Sequence, residues 1–161
     1  MINNFFFRIT VTIIIFFILK IKNITSLPLL VAFLILSDTL DCGLYPGFIN
    51  YKTYTYQKND KIIDLLMYVF FIALFNNLFD MFTKKLLCIL ILFRIIGVIK
   101  FYSTGENKYL KYFPDFINST LIAYAIYVHF SLTNNTYYIM IMIGMVIKII
   151  FEIQHHDMTY N

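Results

Sequence analysis

Six apolar runs, separated by short polar breaks, constrain this chain more than anything else in it. They are Phe5–Leu19, Leu27–Leu40, Asp60–Phe79, Leu86–Tyr102, Phe116–Leu132 and Tyr137–Ile153. A helix that crosses a bilayer needs about 20 mostly apolar residues, and most of the runs come close to that length. The chain is 60% hydrophobic and 14% charged, against about 45–50% and about 25% in soluble domains. Such a chain is too apolar for water. We expect an all-α, polytopic membrane protein with six transmembrane helices in one bundle. No repeat or low-complexity linker divides residues 1–161, so the expectation is a single integral membrane domain.

The polar breaks carry the punctuation. The first run is short and holds Arg8, which can snorkel to the surface. No small-x-small cleavage site follows it, so it reads as a retained, partly interfacial helix rather than a signal peptide. Thr25 or Ser26 can cap the second helix, and Pro28 suits its first turn. A loop with Gly43, Pro46 and Gly47 runs from Cys42 to Asn59, where Asn59 is a plausible N-cap. Asn76, Asn77 and Asp80 are expected to close the third helix, Ser103–Asp115 to form a polar connection, and Thr133–Thr136 a tight turn. The residues after the sixth run, with His155, His156 and Asp157, read as a solvated tail.

Positive charge orients the bundle. Arg8, Lys52, Lys58, Lys61, Lys100, Lys108, Lys111 and Lys148 fall on one side; Lys20, Lys22, Lys84 and Lys85 fall on the other. That balance puts both termini and the loop after the second helix in the cytoplasm. The lysines serve topology and anionic headgroups, not nucleic acid. Cys42 and Cys88 are expected to be free thiols.

Four of the seven aspartates lie in two pairs around that loop. Asp38 and Asp41 are three apart at the end of one run; Asp60 and Asp64 are four apart at the start of the next. Each pair shares a helix face. If the two helices pack, the carboxylates converge and need cations. Oxygen-only donors favour Mg²⁺, Mn²⁺ or Ca²⁺, and two such ions would clamp a phosphate or pyrophosphate. The plainer reading is that these acids cap helices beside a charged loop.

The paired acids resemble the CDP-alcohol phosphatidyltransferase family, whose pattern is D-x2-D-G-x2-A-R-x8-G-x3-D-x3-D. Asp38-x2-Asp41 and Asp60-x3-Asp64 match its two pairs, with an interval one residue longer. Asn23-Ile-Thr25 is similar to the N-x-x-T opening of the preceding helix, and Leu90–Lys100 to the arginine-bearing helix that follows. Cys42 stands in place of the glycine after Asp41, Gly43 comes one place late, and the A-R pair has no match. The resemblance implies transfer of a phosphatidyl group from CDP-diacylglycerol to an alcohol acceptor, with release of CMP. It implies Mg²⁺ or Mn²⁺ as a two-ion site on Asp38, Asp41, Asp60 and Asp64, with Asp64 as general base and Gly43 and Arg94 contacting substrate. A homodimer is one assembly open to such a protein. The second reading is a non-catalytic multi-pass protein, structural or an inactive relative.

Arg94 is the one charge deep inside a run. Such a residue either serves a functional cavity or pairs with an acid or with backbone carbonyls.

Overall fold

A computed structural model describes the backbone of residues 2–43 and 54–159, and the side-chain surroundings of residues 9–37 and 58–154. Among the described residues there is helix and no strand, so the chain is all-α. The helices are α1 (Ile2–Ile21), α2 (Leu27–Gly43), α3 (Tyr54–Leu74), α4 (Met81–Thr104), α5 (Lys108–Tyr112), α6 (Ile117–His129) and α7 (Asn134–Thr159). Every apolar run became helix. Two of these helices are long and apolar enough to cross a membrane among the described residues: Met81–Thr104, and Asn134–Gln154 within α7.

Backbone contacts gather into two compact units, Met1–Phe79 and Asp80–Asn161. In the first, α1 packs on α2 and on α3, and α2 packs on α3. Asn23 takes a left-handed conformation (φ 52°) after α1. The Ile24 N–H returns to the Leu19 carbonyl at 3.0 Å, which satisfies an end carbonyl as an αL stop does. The Leu30 N–H then donates to the Ser26 carbonyl, so Ser26 marks the start of α2, with Pro28 in its first turn. The core is aromatic. Phe16 lies against Phe71 and Phe75, with ring centres 5.3 and 6.0 Å apart, and Phe71 reaches Phe79 at 6.3 Å. Leu30 and Leu34 of α2 are buried as well.

In the second unit α4 packs on α5 and α6, and α7 packs on α5 and α6. Asp80 starts it. Its Oδ1 accepts from the Thr83 N–H at 2.7 Å, capping α4. Gly105, at φ 75°, ends the same helix, and its N–H donates to the Phe101 carbonyl. The left-handed backbone there favours a residue without a Cβ. Thr133 caps α7, its Oγ1 accepting from the Thr136 N–H at 3.3 Å.

Several boundaries differ from the sequence reading; Asn134–Thr136 of the expected tight turn already open α7, and Cys42 and Gly43 of the expected loop still belong to α2. Helix α3 begins at Tyr54, so Asn59 is inside it and not its cap; Gln57 and Lys58 are good helix formers and no breaker separates them from Asn59. Asp80 does not close α3, which ends at Leu74 before a 3-10 turn at Asn76–Leu78; the carboxylate instead opens α4. The polar connection Ser103–Asp115 contains the short helix α5. Beyond Ile153 the backbone stays helical to Thr159, so the expected tail continues α7; the side chains of His155, His156 and Asp157 lie outside the described residues.

Candidate functional site: an aspartate pair on one helix face

Helix α3 is polar where it starts and apolar from Leu65 onward. Asp60 and Asp64 lie at that changeover, one turn apart, and each is only 8% exposed. Lys61 sits between them. Its Nζ is 2.7 Å from Asp60 Oδ2 and 3.6 Å from Asp64 Oδ2. One oxygen of each carboxylate therefore points at the same positive charge. The arrangement brings two acids and one base together at low exposure. Removing a partner from such a buried group leaves an uncompensated charge, at a cost of about 3–5 kcal/mol.

The sequence reading placed Asp60 and Asp64 on one face, and they are there. It counted Lys61 only as a topology charge. Its spacing, one residue after Asp60 and three before Asp64, was the available signal, since positions three apart share a face. Asp38 and Asp41 belong to the last turns of α2, which ends at Gly43 and packs on α3. The side chains of Asp38 and Asp41 and the surroundings of Gly43 lie outside the described residues, so the four-carboxylate set is seen only in its α3 half.

Arg94 is in the second unit and is 4% exposed. Its Nη1 donates to the Phe113 carbonyl at 2.5 Å and the Leu110 carbonyl at 3.5 Å. Among the described residues no carboxylate pairs with it. Gly97, one turn further along α4, lets this happen: a Cβ there would collide with Phe113 Cβ and meet its Cγ at 3.0 Å. The missing side chain admits the Phe113 backbone to the helix surface, within reach of the guanidinium.

Two polar features of the second unit were not anticipated. The hydroxyls of Tyr124 and Tyr137 join α6 and α7 to the start of α4. Tyr124 Oη accepts from the Asp80 N–H at 2.9 Å, and Tyr137 Oη bonds Thr83 Oγ1 at 2.9 Å. Lys148 and Glu152, four apart on α7, pair at 3.2 Å with Glu152 buried. The Glu–Lys spacing is legible in the sequence; the tyrosine partners are distant in it and are not. Cys88 is a free, exposed thiol.

No protein-family model, curated protein or solved structure matches this chain.

Proposed function

We propose that the chain is a multi-pass membrane protein whose α2–α3 boundary transfers a phosphatidyl group from CDP-diacylglycerol to an alcohol, releasing CMP. The reading includes six crossings with both termini in the cytoplasm, as the lysine distribution favours. One observation carries it: buried Asp60 and Asp64 each aim an oxygen at a single cationic point.

Two hard oxygens converging on one positive charge also suit Mg²⁺ or Mn²⁺. Asp60 and Asp64, with Asp38 and Asp41 from the end of the packed α2, would hold the ions. Bound there, divalent ions supply neutralisation of the pyrophosphate and of charge on the departing CMP. The protein's own residues do the rest. Asp64, the acid nearer the apolar part of α3, takes the proton as the alcohol oxygen bonds to phosphorus and the bond to CMP breaks. Lys61 holds the two carboxylates on one side of the helix. Gly43, at the end of α2, would let the donor approach beside Asp41.

The test supplies membranes containing the protein with CDP-diacylglycerol, Mn²⁺ and candidate alcohols, and follows CMP. Asp64→Asn is expected to lower release by about 10²–10⁴-fold, the usual worth of a general base. Unchanged release in that variant would sink the assignment.

A second reading has a specific observation behind it. Lys61 by itself engages both acids, so the cluster also serves as a buried structural node in a non-catalytic membrane protein. That reading expects no Mn²⁺ binding, and it expects Asp60→Asn and Asp64→Asn to change stability while no turnover is detected.

A further inference from the structure

We propose that the second unit is matched to a thin bilayer, one assembled from short acyl chains. Its two membrane-length helices present an apolar band of about 22 Å at 1.5 Å per residue, against the roughly 30 Å hydrocarbon core of a typical membrane. The inference rests on the membrane reading of α4 and α7 given above, and it specifies the lipid they fit.

The contacts of this unit set its helices in register. Helix α6 runs against α4: the Phe116 ring stacks on Phe93 with centres 6.0 Å apart, near the middle of α4, and Tyr124 reaches Asp80 at its start. Helix α7 runs against α6 in turn, with Gly144 beside Ser119 and the Tyr137 ring stacked on Tyr127. Helices α4 and α7 therefore point the same way, and the bond between Thr83 and Tyr137 fixes their offset. Ile99 lies as far beyond Thr83 as Ile153 lies beyond Tyr137. At equal rise per residue these two isoleucines fall at one level.

Polarity changes at that level on both helices. Helix α4 exposes Lys85 and Lys100, and between them chiefly Ile89, Leu92, Ile96 and Ile99. Helix α7 exposes Asn135 and Thr136, then an aliphatic face from Ile139 through Val146 to Ile153, then Gln154. The charges within these stretches turn inward. Arg94 is buried on the carbonyls of Leu110 and Phe113, and buried Glu152 holds Lys148. Charges inside and aliphatic side chains outside reverse the pattern of a helix that faces water and suit one that faces lipid. Leu86–Ile99 covers about 21 Å and Ile139–Ile153 about 22 Å along the axis. Tilt shortens both projections. The stems of Lys85 and Lys100 can recover a little on α4 by snorkelling. Asn135, Thr136 and Gln154, which flank the band on α7, have no such reach, and Lys148 is held by Glu152. Helix α6 agrees: its 13 residues span about 20 Å. A band this short is met by a thin bilayer.

The chain has no tryptophan, so a single introduced indole reports alone. The test reconstitutes the full chain carrying Val146→Trp, in the middle of the α7 band, or Leu92→Trp, in that of α4, where both residues are exposed. The vesicles hold brominated phosphatidylcholine mixed with dimyristoleoyl, dioleoyl or dierucoyl phosphatidylcholine. Competition against quenching gives the relative affinity of the protein for each chain length. Affinity is expected to be highest for the dimyristoleoyl lipid and at least about twofold lower for the dierucoyl lipid, because mismatch between band and bilayer is penalised. Lys100→Leu with Gln154→Leu lengthens both bands and is expected to move the optimum to the dioleoyl lipid. Quenching at both positions with an affinity that is flat, or that rises toward the dierucoyl lipid, overturns the thin-bilayer match and leaves the membrane reading standing. Quenching at only one position gives the other face to a second copy of this chain and overturns its band as a lipid contact. No quenching at either position overturns both the match and the membrane reading.

Discussion

Residues 9–79 and residues 80–154 solve the same packing problem with different chemistry. In the first unit the helices meet through tilted and edge-on rings, Phe16, Phe71, Phe75 and Phe79. In the second, rings also meet, Phe116 on Phe93 and Tyr127 on Tyr137, but polar groups add fixed joints: Tyr124 to Asp80, Tyr137 to Thr83, Arg94 to Phe113. The difference bears on where chemistry can reside. Tyr124, Tyr137 and Arg94 each tie one stretch of backbone or side chain to another and so hold helices together. Asp60, Lys61 and Asp64 lie within two turns of a single helix, and the bonds among them join no second helix. A charged cluster within one helix is a better candidate for work on a substrate than groups that tie helices together.

Variants can break or sharpen this contrast. The largest stability effect is expected from Phe71→Ala, which empties the centre of the ring cluster, for about 3–5 kcal/mol. Reversible unfolding in detergent would measure it; a loss below that of a single hydrogen bond would mean that the rings do not hold the first unit. Next comes Arg94→Ala. It strips two buried carbonyls of a charged donor, at about 3 kcal/mol, and Arg94→Lys should recover part of that. A smaller loss is expected for Tyr137→Phe, which keeps the ring and deletes the bond to Thr83. Hydrogen bonds between membrane helices average about 0.6 kcal/mol, so a cost well above 2 kcal/mol would show that the hydroxyls act as a coupled network.

Helix class and helix positions were legible because hydrophobicity and charge alternate in long blocks along this chain. The 3- and 4-residue spacing of the aspartates likewise placed Asp60 and Asp64 on one face, because a helix converts spacing into direction. What could not be read is tertiary. The carbonyl partners of Arg94 lie sixteen and nineteen residues away, and backbone carbonyls carry no residue signature. Nor does Gly97 announce itself: nothing nearby in sequence indicates that Phe113 will press against it. Helix α5 was missed because five residues between a glycine and a proline look like loop. The start of α3 was missed because Asn59 is as good a cap in isolation as any, and only the absence of a breaker upstream argued otherwise.

The two contacts that hold α6 against α4, Phe116 on Phe93 and Tyr124 on Asp80, also set rules for insertion and deletion. One residue added between Phe116 and Tyr124 turns the remainder of α6 by about 100° and swings Tyr124 away from its partner. One residue added at Gly105–Glu106 lies outside both contacts, where the chain can bulge into solvent. Related chains should therefore vary in length around Gly105–Glu106 and keep the spacing from Phe116 to Tyr124 constant, so gaps in an alignment would mark the connection before α6 without any structure.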